Sequence, residues 1–181
     1  MHVTRLPPDA VVTDAACGNA HTMAVTADGR LFGFGYNEWG SVGIGIDEDA
    51  VYEPELVMNP SGEDTMNRIK ATIVAVACGN AHTVALASDG RVFGFGFNSY
   101  GQLGNGTTTL APEPVEMQAP PPSHRGKVVA VACGHDHTVL LLQDGSVWSC
   151  GRNQASDDST TQPIHPPTGP LVGWLVGSDP I

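Results

Sequence analysis

The residues with the most chemical potential lie together at Cys133-Gly-His-Asp-His137. A thiol, two imidazoles and a carboxylate within five positions imitate a metal site, and a structural zinc needs four well-placed ligands of this kind. Cys133 and His137, however, recur as Cys78 and His82, and again as Cys17 and His21. Only His135 and Asp136 are new to the third occurrence, so no metal is expected. The same recurrence bears on catalysis. His21, His82 and His137 each have the chemistry of a general base. A general base is needed once, whereas a residue that holds a turn is needed wherever that turn is built. The three imidazoles are therefore expected to hydrogen-bond nearby backbone within or between structural units. Cys17, Cys78 and Cys133 share one position as well and are expected to be small buried hydrophobes. With Cys150 they form no C-x-x-C pair, so no disulfide is implied. A reducing, intracellular compartment, cytoplasmic or nuclear, fits.

Other reactive patterns are missing from the sequence. It contains no nucleophile elbow, Walker loop or paired-carboxylate motif. Gly101-Gln-Leu-Gly-Asn-Gly106 is glycine-rich, but no Lys follows it, so it is no phosphate cradle. The acidic segment Asp47, Glu48, Asp49, Glu53 and Glu55 lacks the spacing of an EF-hand loop and reads as a solvated loop. Its one functional use would be to steer a basic partner through the net negative field. No catalytic residue, no cofactor-binding residue and no cofactor is expected, and the sequence names no partner-binding residue.

The elements that carry these residues are repeated three times. The copies run from Ala16 to Asn37, from Ala77 to Asn98 and from Ala132 to Asn153, each opening on Ala-Cys-Gly and each holding His-Thr and then Asp-Gly. The cysteines mark offsets of 61 residues from Cys17 to Cys78 and 55 from Cys78 to Cys133. In the second copy Val74, Val76 and Cys78 alternate with Ala75 and Ala77, which predicts a strand with one larger face. His82 to Ala87 is a second β-forming run, and Asp89-Gly90 between it and Arg91–Phe95 is a hairpin signal. Gly94 and Gly96 mark close backbone approach or a bulge. Pro112 to Met117, with Pro54 to Met58 as its earlier counterpart, completes about four strands per copy. No stretch shows sustained helical periodicity. Repeats of this length built from four strands are the sequence form of propeller blades.

These residues also resemble one family, the regulator of chromosome condensation repeat. The resemblance rests on Cys-Gly-Asn-Ala-His-Thr at 17–22 and 78–83, on Asp-Gly with the following Phe-Gly, and on Tyr-Gly-Gln-Leu-Gly-Asn-Gly at 100–106. It covers roughly residues 10 to 153. It implies a seven-bladed β-propeller. It also implies guanine-nucleotide exchange on a small GTPase, Ran in the founding member, with chromatin association. The first copy departs mildly at Trp39-Gly-Ser-Val-Gly-Ile-Gly45. The third departs more, because Gln154-Ala-Ser-Asp-Asp158 stands where the Gly-Gln-Leu-Gly segment belongs.

The expected fold is all-β: three blades of about four antiparallel strands, at approximately 10–58, 72–117 and 127–153, forming a partial, open propeller. Closed propellers use typically 4–8 blades. Three blades therefore imply a piece of a longer protein, an arc completed by partner chains or by copies of itself, or a fragment held against a larger assembly. Residues 154–181 leave the repeat as a Pro-rich tail, with Leu171–Val176 a candidate edge strand or the worn start of a fourth repeat. Residues 59–71 and 118–127 read as surface loops.

Composition narrows the partners. The chain has 181 residues, 41% of them apolar, and a net charge of −11. Only Lys70 and Lys127 are lysines among eight basic residues, so no direct nucleic-acid contact is expected. No apolar run approaches a membrane span, and Met1–Asp9 holds no apolar stretch of a secretory signal. The expected function is a non-enzymatic interaction or scaffold module whose partners are other protein chains. The alternative is a regulatory propeller exchanging nucleotide on a small GTPase, and a third reading attaches these blades to an unrelated enzyme.

Overall fold

A computed structural model describes residues 6–46, 48–61, 69–118 and 127–152. Among them it forms eleven strands and no helix. The first blade is β1 (Val12–Cys17), β2 (His21–Thr26), β3 (Leu31–Tyr36) and β4 (Ala50–Met58). The second is β5 (Ile73–Cys78), β6 (His82–Ala87), β7 (Val92–Gly96) and β8 (Ala111–Glu116). The third holds β9 (Val128–Cys133), β10 (His137–Leu142) and β11 (Val147–Gly151). Each sheet is an antiparallel meander in which consecutive strands are neighbours. This is the blade topology expected of a propeller. The tail at 154–181, with its Leu171–Val176 run, lies outside the described residues, as do 62–68 and 119–126 of the two long loops.

The hairpin signals produce the hairpins. In the first blade Gly29 N donates to Thr26 O at 2.8 Å and Thr26 N to Arg30 O at 3.0 Å, a tight loop over Ala27-Asp28-Gly29. Gly29 closes it at φ 85°, with Gly90 and Gly145 equivalent at 92° and 85°. Only glycine enters that region without steric cost.

One strand prediction needs correction. Val74 and Val76 do not share a face: Val74 is exposed and Val76 buried. The pairing of β5 with β6 slips between Ile73 and Ala75, and that bulge turns Val74 outward. The same irregularity recurs at Val12/Asp14 and Leu141/Leu142, so it belongs to the repeat.

The core lies between blades as well as within them. One apolar cluster joins Met23, Val25 and Leu31 of the first blade to Ile73, Val76 and Phe93 of the second. Another joins Val84, Leu86 and Val92 of the second to Val128, Leu140 and Leu142 of the third. β1 lies beside β5, and β5 beside β9. A single sheet cannot bury both faces, so each blade completes its neighbour.

Candidate functional site

The stretch Gly-x-x-His-Thr, at 18–22, 79–83 and 134–138, turns β1 into β2 and its two counterparts likewise. Gly N closes each turn on the His carbonyl, at 2.9, 2.8 and 2.9 Å. The imidazole then folds back over the glycine. A Cβ on Gly18 or Gly79 would lie 2.1 Å from Cε1 of the same turn's histidine, so no side chain fits there. The ring is thereby aimed at the next blade. His21 Nε2 meets Thr83 Oγ1 at 2.9 Å, and His82 Nε2 meets Thr138 Oγ1 at 3.2 Å.

The hydroxyls fix the proton. Thr83 Oγ1 donates to Ser41 O at 2.8 Å, and Thr138 Oγ1 donates to Gln102 O at 2.7 Å. Each hydroxyl has spent its single hydrogen, so it accepts from the imidazole, which must carry its proton on Nε2. The opposite nitrogen of His82, Nδ1, is buried and has no hydrogen-bond partner. Burial lowers the pKa of both His21 and His82 to about 4, opposed at His82 by Asp136. Both rings are neutral near pH 7, and a second proton on His82 would find no partner.

Two further contacts tighten each junction. Asn19 N donates to Asn80 O at 3.3 Å, and Asn80 N to His135 O at 2.9 Å. A Cβ on Gly18 would lie 2.7 Å from Gly79 O, and one on Gly79 would lie 2.7 Å from Gly134 O. The three turns therefore pack backbone to backbone along one end of the arc. The histidines do act between blades as expected, but on threonine hydroxyls where backbone groups were expected. Thr83, Thr138, Gly18 and Gly79 were missed as junction residues. Their signal was present: glycine stands three residues before, and threonine one residue after, every one of these histidines.

His137 differs. It is exposed, and among the described residues no hydroxyl faces it. Its neighbours do not form a metal centre. His135 Nδ1 lies 3.0 Å from Asp136 Oδ2, and Arg152 Nη1 lies 3.6 Å from the same oxygen. Among the described residues no group of three His, Cys, Asp or Glu could hold a metal ion. The cysteines need a correction too. Cys17 is exposed, while Cys78, Cys133 and Cys150 are partly buried free thiols. Burial pushes those three up to about 12. Cys17 escapes burial because no blade precedes it among the described residues. Of the acidic segment, Glu48, Asp49, Glu53 and Glu55 are exposed and Asp47 lies outside the described residues. Glu48, Glu53 and Glu55 rim a shallow hollow with Ile44, Val51 and Tyr52.

Sequence profiles for the regulator of chromosome condensation (RCC1) repeat match residues 28–86 and 89–141, and a second profile of the same description matches 12–40, 73–102 and 128–156. The chain belongs to the RCC1 repeat family. It is 32% identical to the probable E3 ubiquitin-protein ligase HERC3 of Homo sapiens over 86% of its own length and 14% of that protein. It is 34% identical to the ultraviolet-B receptor UVR8 of Arabidopsis thaliana over 76% of its length and 28% of that protein. Human WBSCR16 superposes with a TM-score of 0.63 at 33% identity, covering 81% of this chain and 36% of that one. Prp20p of Saccharomyces cerevisiae gives 0.62 at 25% identity, covering 77% and 33%. The RCC1 repeats here thus span a small part of each relative, and the match to HERC3 covers 14% of that ligase. No helix of the described residues is long and apolar enough to cross a membrane.

Proposed function

We propose that this chain is a non-enzymatic protein-interaction module, a partial RCC1-repeat propeller that works within a larger protein or assembly inside the cell. The observation that carries the reading is the use made of its histidines. The side chains best suited to acid–base chemistry are spent on joining one blade to the next, neutral and buried at His21 and His82. What remains accessible is surface: two blade faces at the ends of the arc and an acidic hollow on β4. Four free thiols suit a reducing compartment.

The competing reading is nucleotide exchange on a small GTPase. Prp20p, described by its binding properties to Gsp1p and histones, resembles the arc in fold. Exchange needs loops that pry a nucleotide from its site, and the geometry gives no described residue that role. A fluorescent-nucleotide release assay over a panel of small GTPases separates the two. The interaction module leaves the intrinsic release rates unchanged, and a tenfold acceleration of any of them would replace it with the exchange factor.

A further inference from the structure

The three arginines among the described residues are all seated in one way. Arg30 lies over the ring of Phe32 at 5.4 Å, with its Nε 2.7 Å from Asp28 Oδ2. Arg91 lies over Phe93 at 5.3 Å, with its Nε 2.8 Å from Asp89 Oδ2. Arg152 lies over Tyr100 at 5.1 Å, with its Nη1 3.6 Å from Asp136 Oδ2. Each seat combines an aromatic face with a carboxylate. The ring attracts the cation through its quadrupole, and the carboxylate fixes the plane of the guanidinium. Glu38-Trp39 is a further aromatic–carboxylate pair, and among the described residues no cation fills it.

The repeat shows what is different there. Gly40 N donates to Asn37 O and Gly101 N to Asn98 O, both at 2.8 Å, so the turns at 37–40 and 98–101 are equivalent and Trp39 answers to Tyr100. Tyr36 N donates to Ala20 O, Phe97 N to Ala81 O and Arg152 N to Asp136 O, each at 2.8 Å, so these three residues also answer to one another. In both seams the turn's ring reaches that position on the next blade. Tyr100 meets Arg152 there, whereas Trp39 meets Phe97, edge to face at 5.4 Å and 76°. The seam between the first and second blades thus lacks the arginine. It has an added carboxylate instead, since Glu38 stands where the second turn has Ser99.

The pair is held firmly and remains open. Asn37 at the base of the turn is buried, donating from Nδ2 to Gly45 O at 2.8 Å and accepting from Val42 N at 3.0 Å. The Tyr36 hydroxyl donates to Glu38 Oε2, which orients the carboxylate and leaves its other oxygen for a second donor. Trp39 is 41% exposed although both blades of its seam are in place. No Lys, Arg or His stands between Arg30 and Arg68. Glu48 and Asp49 are exposed close by, with Asp49 O accepting from Asn37 N at 2.7 Å. The local field is therefore negative and draws a cation. A guanidinium suits the pair better than an ammonium, because it is planar, stacks on aromatic faces and pairs with a carboxylate through two donors.

We propose that Trp39 and Glu38 form a docking site for an arginine side chain of a partner protein, its guanidinium stacked on the indole and paired with the carboxylate. This docking site deepens the interaction-module reading above and rests on it. A failed titration would leave the nucleotide-release result untouched, and accelerated release would leave the titration untouched.

The probe is the blocked peptide acetyl-Gly-Arg-Arg-Gly-amide, titrated at low salt into the isotope-labelled full chain. NMR follows the indole N–H signals of Trp39, Trp148 and Trp174, and Trp39→Phe assigns the first by its loss. The Trp39 signal should move saturably, with a dissociation constant on the order of millimolar. The same peptide with citrulline in place of arginine keeps the shape without the charge and should leave the signal still. The lysine peptide should bind roughly threefold more weakly or worse. Glu38→Gln keeps an acceptor for the Tyr36 hydroxyl and should weaken binding roughly threefold or more, while the other indole signals verify that the fold is kept. A Trp39 signal that does not move, that moves equally with citrulline, or whose affinity Glu38→Gln leaves unchanged would overturn the proposal. Equal binding of the lysine peptide would overturn the assignment to arginine.

Discussion

Acid should loosen the blade junctions, by an amount set by His21 and His82. Both rings are buried and neutral, with pKa lowered to about 4 by burial, against 6.5 when the chain is unfolded. Between pH 6.5 and 4 the unfolded chain therefore binds more protons than the folded one, so stability falls as pH falls. The stabilisation tied to the neutral rings is complete above pH 6.5 and is lost on the way down to about 4. From pH 7 to pH 5 each ring should cost about 2 kcal/mol, and the pair about 4 kcal/mol. The geometry supports the direction, since a second proton on His82 would sit on a buried Nδ1 with no hydrogen-bond partner. Urea unfolding at fixed chain concentration, followed by tryptophan fluorescence at half-unit steps between pH 7.5 and 5, reads this directly. With a urea slope near 2 kcal/mol per molar, the midpoint should fall by about 2 M. His21→Gln and His82→Gln cannot titrate, so each should remove about half of the pH dependence, even though each lowers stability at pH 7. A midpoint that stays flat or rises on acidification would refute the buried neutral hook. So would a wild-type slope that survives in the double variant.

Two further outcomes follow from the same junctions. Gly79→Ala should cost about 3 kcal/mol or more, because its Cβ would lie 2.1 Å from His82 Cε1 and 2.7 Å from Gly134 O. Gly145→Ala meets nothing within 4 Å and bears only the strain of φ +85°, about 1 kcal/mol; equal losses in urea melts would show that crowding is not what Gly79 relieves. Thiol titration of the chain with a chromogenic disulfide at pH 8 should find Cys17 fast and Cys78, Cys133 and Cys150 slow, since thiols pushed up to about 12 are thiolate in only about one part in ten thousand. Four thiols reacting together would mean that the junctions are open in solution.

What the sequence disclosed and what it withheld divide along one physical line. Asp28-Gly29, Asp89-Gly90 and Asp144-Gly145 announced their hairpins because a tight turn is decided by the few residues in it. The bulge that exposes Val74 and buries Val76 was not legible, since an alternating pattern carries no mark of where the register slips. His82 announced its structural role by recurring, yet its partner, Thr138, stands 56 residues away, and only the stacking of blades brings the two together. Cys17 and Cys78 show the limit most clearly. They occupy the same repeat position in the same motif, and one is exposed while the other is partly buried. Nothing in either copy encodes that difference, because the burial of a blade residue is supplied by the neighbouring blade. The same holds for Leu86 and Leu141, at 3% and 39% exposure. A repeat thus specifies both halves of a contact and leaves open which copy provides the other half.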